Sequence, residues 1–165
     1  MKALTLYPEW CLAILRLGKD VENRDWACPR AILGRPILLH AGGHLDGDAR
    51  DRRDLAALRC VARMASYAGW DYSLPALGHP ILRRGDQVVE LRPSHVTRGA
   101  IVATMRIASC AQSARSGWAV PGSWHWMIAD VRPLDRPVPC RGMPGLWDVP
   151  ADVEAAVREQ LREVA

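Results

Sequence analysis

At 165 residues with a formal charge of +4, the chain is long enough for one domain with its own core, so no disulfide or metal staple is needed. With 49% apolar and 24% charged residues it is too apolar to be disordered, and no apolar run approaches the ~20 residues of a membrane helix. Cysteines at 11, 28, 60, 110 and 140, odd in number and without Cys-x-x-Cys, exclude a disulfide framework and point to reduced, buried thiols in a cytoplasm.

In chain order, "KALTLY" (2–7) alternates as a strand does, and opens on no signal-peptide pattern. "PEWCLAILRLG" (8–18) predicts a short helix, with Pro8 in its first turn, Gly18 at its stop and Trp10, Ile14 and Leu17 in one stripe. "DVENRDW" then drops to a period of two. "RPILLHAGG" (35–43) is apolar almost throughout, as in a strand buried on both faces. The longest helix runs over 48–69, with Asp48, Asp51 and Asp54 near its start and Arg52, Arg59 and Arg63 in a narrow sector. Residues 70–98 are punctuated by Pro and Gly and read as an irregular, loop-bearing excursion. Strands follow over 99–110 and 123–134, then an amphipathic helix from about 150 to 164 with Val153, Val157, Leu161 and Val164 in line. The expected fold is α+β: a small closed or half-closed sheet with helices packed outside. It is read as a single domain, 1–165, with a barrel core over about 2–149.

The stretch "GKDVENRDW" (18–26) crowds Lys19, Asp20, Glu22, Arg24 and Asp25 between two apolar segments. Charges so close to buried strands are costly unless paired or used. Strict alternation puts Glu22, Arg24 and Trp26 on one face and Lys19 on the other. Lys19 joins Glu22 only if the chain bends just after Gly18, which glycine makes easy. Glu22 and Arg24 then read either as a structural ion pair or as cleft residues, Arg24 orienting Glu22 or holding a phosphate.

With seven Trp, three Tyr and no Phe, tryptophan must fill part of the core, and the remainder are candidate stacking platforms. Trp126 and Trp147 read as core. Trp10 is the first stacking candidate and Trp26 the second. Trp118 and Trp124 bracket "AVPGS", a loop whose tip could close over a ligand. His40, ending an apolar strand, reads as a buried histidine bonded to a carbonyl or as an acid, base or ligand contact. A zinc site from His40, His44 and a distant cysteine is a remote alternative, the intervening Ala-Gly-Gly being no helix.

Taken in order, "PEW", "GKDVENR", "LLHAG", "GAIVATMRIASC" and "WHWMIADVRPLDRPVPCRGMPGLWDVP" resemble the ASCH domain, a branch of the PUA-like superfamily, from about Lys2 to Pro150. The resemblance implies a β-barrel of about five or six strands. It also implies a cleft that takes RNA or a single nucleobase or nucleoside, plain or modified. The implied cleft residues are Trp10, Lys19, Glu22, Arg24 and His40. Many relatives read Gln-Pro-Trp where this chain has Pro8-Glu9-Trp10; Glu9 can accept from an amino group but cannot donate.

The leading expectation is therefore a nucleic-acid-binding module without metal or cofactor. Trp10, Trp26, Glu9, Arg24 and His40 would contact the ligand, and Arg52, Arg59 and Arg63 would track phosphate. Its partner would be RNA, another single-stranded nucleic acid or a free nucleoside, and no membrane. The alternative is a metal-independent hydrolase of RNA or acylated cytidine, with Lys19 and Glu22 as acid/base residues. A third reading is a protein-binding domain. The P-loop, G-x-S-x-G and H-E-x-x-H motifs are absent.

Overall fold

The computed structural model describes residues 1–43, 47–75 and 78–163. Strand β1 (Lys2–Leu6) leads into helix α1 (Pro8–Leu17), and β2 (Val21–Arg24) and β3 (Pro36–Ala41) precede the long helix α2 (Gly47–Tyr67). Three short strands follow: β4 (Asp71–Ser73), β5 (Ile81–Arg84) and β6 (Gln87–Glu90). Then come β7 (Ala100–Ala111), β8 (Trp124–Pro139), β9 (Leu146–Asp148) and the closing helix α3 (Ala151–Glu163). Among the described residues no helix is long and apolar enough to cross a membrane.

Six strands form one sheet in the order β2-β8-β7-β3-β1-β9, in which β1 and β3 run parallel and the other neighbours antiparallel. The sheet curls strongly into a half-barrel. Its long ribbon, β7 with β8, shifts register at three places, and Asp130 in β8 adopts φ 50°. Such bulges add local twist and bend a sheet on itself. The result is visible at the seam: the Arg24 guanidinium of edge strand β2 donates to the Thr5 carbonyl of β1 at 3.2 Å. Strands β8, β7 and β3 all stand between those two in the sheet order.

Period-two patterning explains why both faces are covered. Leu4, Leu6, Ile37, Leu39, Met105, Ile107 and Trp126 fill the concave side with Cys11 and Ile14 of α1. Ala3 and Leu38, one residue out of phase, and Ile101, beyond a register shift in β7, pack with Trp147 and with Val153 and Val157 of α3. A further core joins α1 and α2: Leu12, Leu17, Leu58, Val61, Ala62 and Ala65 meet Trp70, Leu82, Leu91 and Trp118. Trp10 packs against both the barrel core and this second core.

The excursion over 70–98 is more ordered than its composition predicts. It makes a second, three-stranded sheet, β4-β5-β6, with Leu82 and Leu91 fully buried against α2. Strands of three or four residues are too short to display a period, so punctuation dominated the pattern. The strand at 123–134 likewise runs on to Pro139.

Candidate functional site

The site begins with a helix stop. Gly18 ends α1 in the left-handed region (φ 67°, ψ 34°), and the Lys19 N–H donates back to the Ala13 carbonyl at 3.2 Å. Lys19 and Asp20 lie outside β2, so alternation does not govern them. The bend turns the Lys19 side chain inward, where it is 3% exposed. Its ammonium donates to Glu22 Oε2 at 2.9 Å and also to the Val21 carbonyl. It lies 5.7 Å from the centre of the Trp10 ring, within cation–π reach.

Glu22 continues the chain of charge, since its Oε1 lies 3.3 Å from Arg24 Nε. That contact is an ion pair by distance, but its alignment makes no hydrogen bond, and Arg24 Nε stays buried without one. The outer guanidinium nitrogen holds the Thr5 carbonyl across the seam. Lys19, Glu22 and Arg24 thus form one line of alternating charge, mostly out of water. Removing two charges from solvent is expensive and stabilises a fold poorly compared with apolar packing.

Above the pair lies a hollow of about 270 Å³. Trp10 of α1, Lys19, Glu22 and Asn23 form one side; Cys60 and Met64 of α2 form a second; Trp118 and Val120 form a third. The walls are mainly apolar and the charge sits at one place, as in small-molecule sites, although the volume is at the small end for them. Lys19 has three N–H donors, two of which are engaged, and the Glu22 carboxylate has more lone pairs than its two contacts use. The hollow therefore offers one donor and one acceptor side by side over an indole. A larger groove of about 440 Å³ between β8 and α3 carries its charges, Arg132 and Asp135, on exposed side chains and has no indole in its wall. Its Gln160 amide pairs with the Arg136 backbone, at 3.0 Å in each direction.

The other expected site residues are dispersed. His40, 1% exposed, borders a separate hollow with Thr5, Cys140 and Gly142. Its Nε2 is 3.2 Å from the Cys140 carbonyl and so donates to it, and its Nδ1 is 3.2 Å from Thr5 Oγ1. Burial pushes its pKa below the ordinary imidazole value, against the opposing pull of the Cys140 carbonyl. The Cys140 contact anchors the ring, while Thr5 Oγ1 already donates its one proton to the Met143 carbonyl at 2.6 Å. The ring lies so close to Gly142 that a Cβ there would stand 2.1 Å from it. Trp26 is 37% exposed and meets Trp126 edge-on at 4.6 Å, away from the hollow. Glu9 is half-buried in the first turn of α1 and does not line the hollow. Arg59 and Arg63 are exposed on α2 beside Cys60 and Met64. Arg52 lies outside the residues whose side chains are described, and His44 outside the described residues altogether. Among the described residues no cluster of three His, Cys, Asp or Glu side chains could hold a metal.

Cys11 lies under the ion pair, its thiol pointing to the His40 carbonyl at 3.7 Å. Burial pushes its pKa far up, and the Glu22 carboxylate adds to that, so it is an inert thiol. Asn23, Cys60 and Met64 were not legible as site residues. Cys60 and Met64 are four apart on α2, which puts them on one face; only tertiary packing turns that face to Lys19.

No protein-family model matches this chain, and no curated protein matches it.

Proposed function

We propose that the hollow over Lys19 and Glu22 receives a single nucleobase, free or turned out of RNA, and that the chain is an ASCH-type, PUA-like nucleic-acid-binding module. The observation that carries this is the buried ammonium–carboxylate contact at 2.9 Å opening onto an indole-walled hollow. Every nucleobase has a π-face for Trp10. Each base also places a hydrogen-bond donor next to an acceptor on its pairing edge, which Glu22 and Lys19 complement. Arg59 and Arg63, on the helix that walls the hollow, supply positive charge for flanking phosphates.

Hydrolysis of an RNA phosphodiester or an acylated cytidine would use the same hollow. The Lys19 ammonium donates to two acceptors, which suits holding a ligand better than delivering a free amine. Binding is therefore the reading preferred.

Isothermal titration with the four ribonucleoside monophosphates, and with a short single-stranded RNA at two salt concentrations, tests the proposal. At least one probe binds, and Glu22→Gln or Trp10→Ala weakens it at least about tenfold, the effect of losing a charged hydrogen bond or a stacked base. RNA binding weakens with salt, and Arg63→Gln flattens that dependence. No binding by any probe, or binding indifferent to Glu22→Gln and Trp10→Ala, overturns it.

A further inference from the structure

One wall of the hollow is neither helix nor strand. The loop over 112–123 carries Trp118, 2% exposed, and Val120 to its edge. A loop of this length without regular structure must find partners for its backbone elsewhere. Besides turns of its own, the loop is held by side chains of the charged 18–26 stretch and of β8. Asn23 uses both ends of its amide: Nδ2 donates to the Trp118 carbonyl at 2.9 Å, and Oδ1 accepts from the Val120 N–H at 2.9 Å. His125, buried in β8, accepts the Ala114 N–H on Nδ1 at 3.0 Å. Its proton therefore sits on Nε2, which donates to the Val120 carbonyl at 2.9 Å. Asp20 accepts from the Ser116 hydroxyl at 2.6 Å, and that hydroxyl accepts from the Trp118 N–H at 3.1 Å. On the far side Gly117 presses on the end of α2, where a Cβ would stand 2.1 Å from the Tyr67 carbonyl oxygen.

We infer that Asn23 and His125 are positioning residues that hold the 112–123 loop as the selective wall of the ligand hollow, with Val120 and Trp118 setting which nucleobase fits. The inference rests on the nucleobase reading above. It also explains the mixed composition of the charged motif: Lys19 and Glu22 face the ligand, while Asp20 and Asn23 hold the wall that confines it.

The test pairs hydrogen exchange with titration of the four ribonucleoside monophosphates. In the wild type the Val120 and Ala114 amides are protected, and the preferred nucleotide protects them further. Asn23→Ala exposes Val120, weakens that nucleotide about fivefold for each hydrogen bond lost, and narrows the spread among the four. Asn23→Asp keeps the acceptor for Val120 and so keeps its protection, with a smaller loss of affinity. His125→Asn, which keeps an acceptor near the Nδ1 position, retains Ala114 protection better than His125→Ala. Val120→Ala leaves the latch intact and changes the order of preference in favour of purines. If Asn23→Ala releases the Val120 amide while affinity and preference stay unchanged, or if Val120→Ala leaves the order unaltered, the loop is structural only and the inference fails. Absence of nucleotide binding by the wild type is a different result: it removes the nucleobase reading itself, before any variant is compared.

Discussion

Lys19 shows how one side chain can be both expensive and informative. With 3% exposure it depends on Glu22 for compensation, and Glu22 depends on it in turn. Replacing Lys19 by Met strands a buried carboxylate that keeps only Arg24, and the expected loss in urea denaturation is roughly 3 kcal/mol. Lys19→Met with Glu22→Leu together recovers much of that loss, since an apolar pair needs no compensation. His40 makes a prediction of another kind. Burial holds its folded pKa below the ordinary value of about 6.5, so as pH falls through that value the unfolded chain takes up a proton that the folded one resists. His40 thus adds no pH dependence to stability above about pH 7, and stability falls as the solution is acidified below 6.5. The melting temperature of His40→Asn declines less steeply between pH 6.5 and 5 than that of the wild type.

At the scale of elements, the stop of α1 decides where the charged motif points. Gly18 occupies a left-handed conformation that other residues reach only at a cost of about 1–2 kcal/mol. There is room for a methyl group, the nearest atom being a terminal Arg84 nitrogen at 3.7 Å, so Gly18→Ala is a test of strain alone. It lowers stability by about that amount; under the proposed nucleobase reading it also weakens binding, because the same turn aims Lys19. Gly142→Ala behaves differently: its methyl group meets the His40 ring at 2.1 Å, so the loop must move. Calorimetry of the two variants is expected to give a larger loss for Gly142→Ala than for Gly18→Ala.

Across the whole molecule, three cores meet on shared strands. Ala3 and Leu4, neighbours in β1, belong to opposite faces of the sheet, and Trp10 bridges the barrel core to the α1–α2 core. Such sharing predicts that they melt together, with far-ultraviolet circular dichroism and tryptophan fluorescence giving coincident transitions. Trp126 is the largest side chain buried without exposure, and its indole N–H holds the Trp26 carbonyl at 3.1 Å. Trp126→Ala costs about 3–5 kcal/mol by cavity formation and releases the Trp26 loop.

Local signals carried much of this. The Pro8 start and Gly18 stop of α1, the alternation of β1 and the apolar run of β3 are set by dihedral preference and by which faces must leave water, and both are written residue by residue. The unusual charge of residues 18–26 was likewise visible, as was the bend that Lys19 needs to reach Glu22. The tertiary structure alone decided the rest. Curling of the sheet drew Arg24 to Thr5 and left His40 in a hollow of its own. Packing of α2 turned Cys60 and Met64 toward Lys19, and Asn23, which alternation sets on the face of its strand opposite Glu22 and Arg24, became the clasp of a loop about a hundred residues away. Those outcomes depend on contacts between distant segments, and a linear pattern records only what each segment prefers by itself.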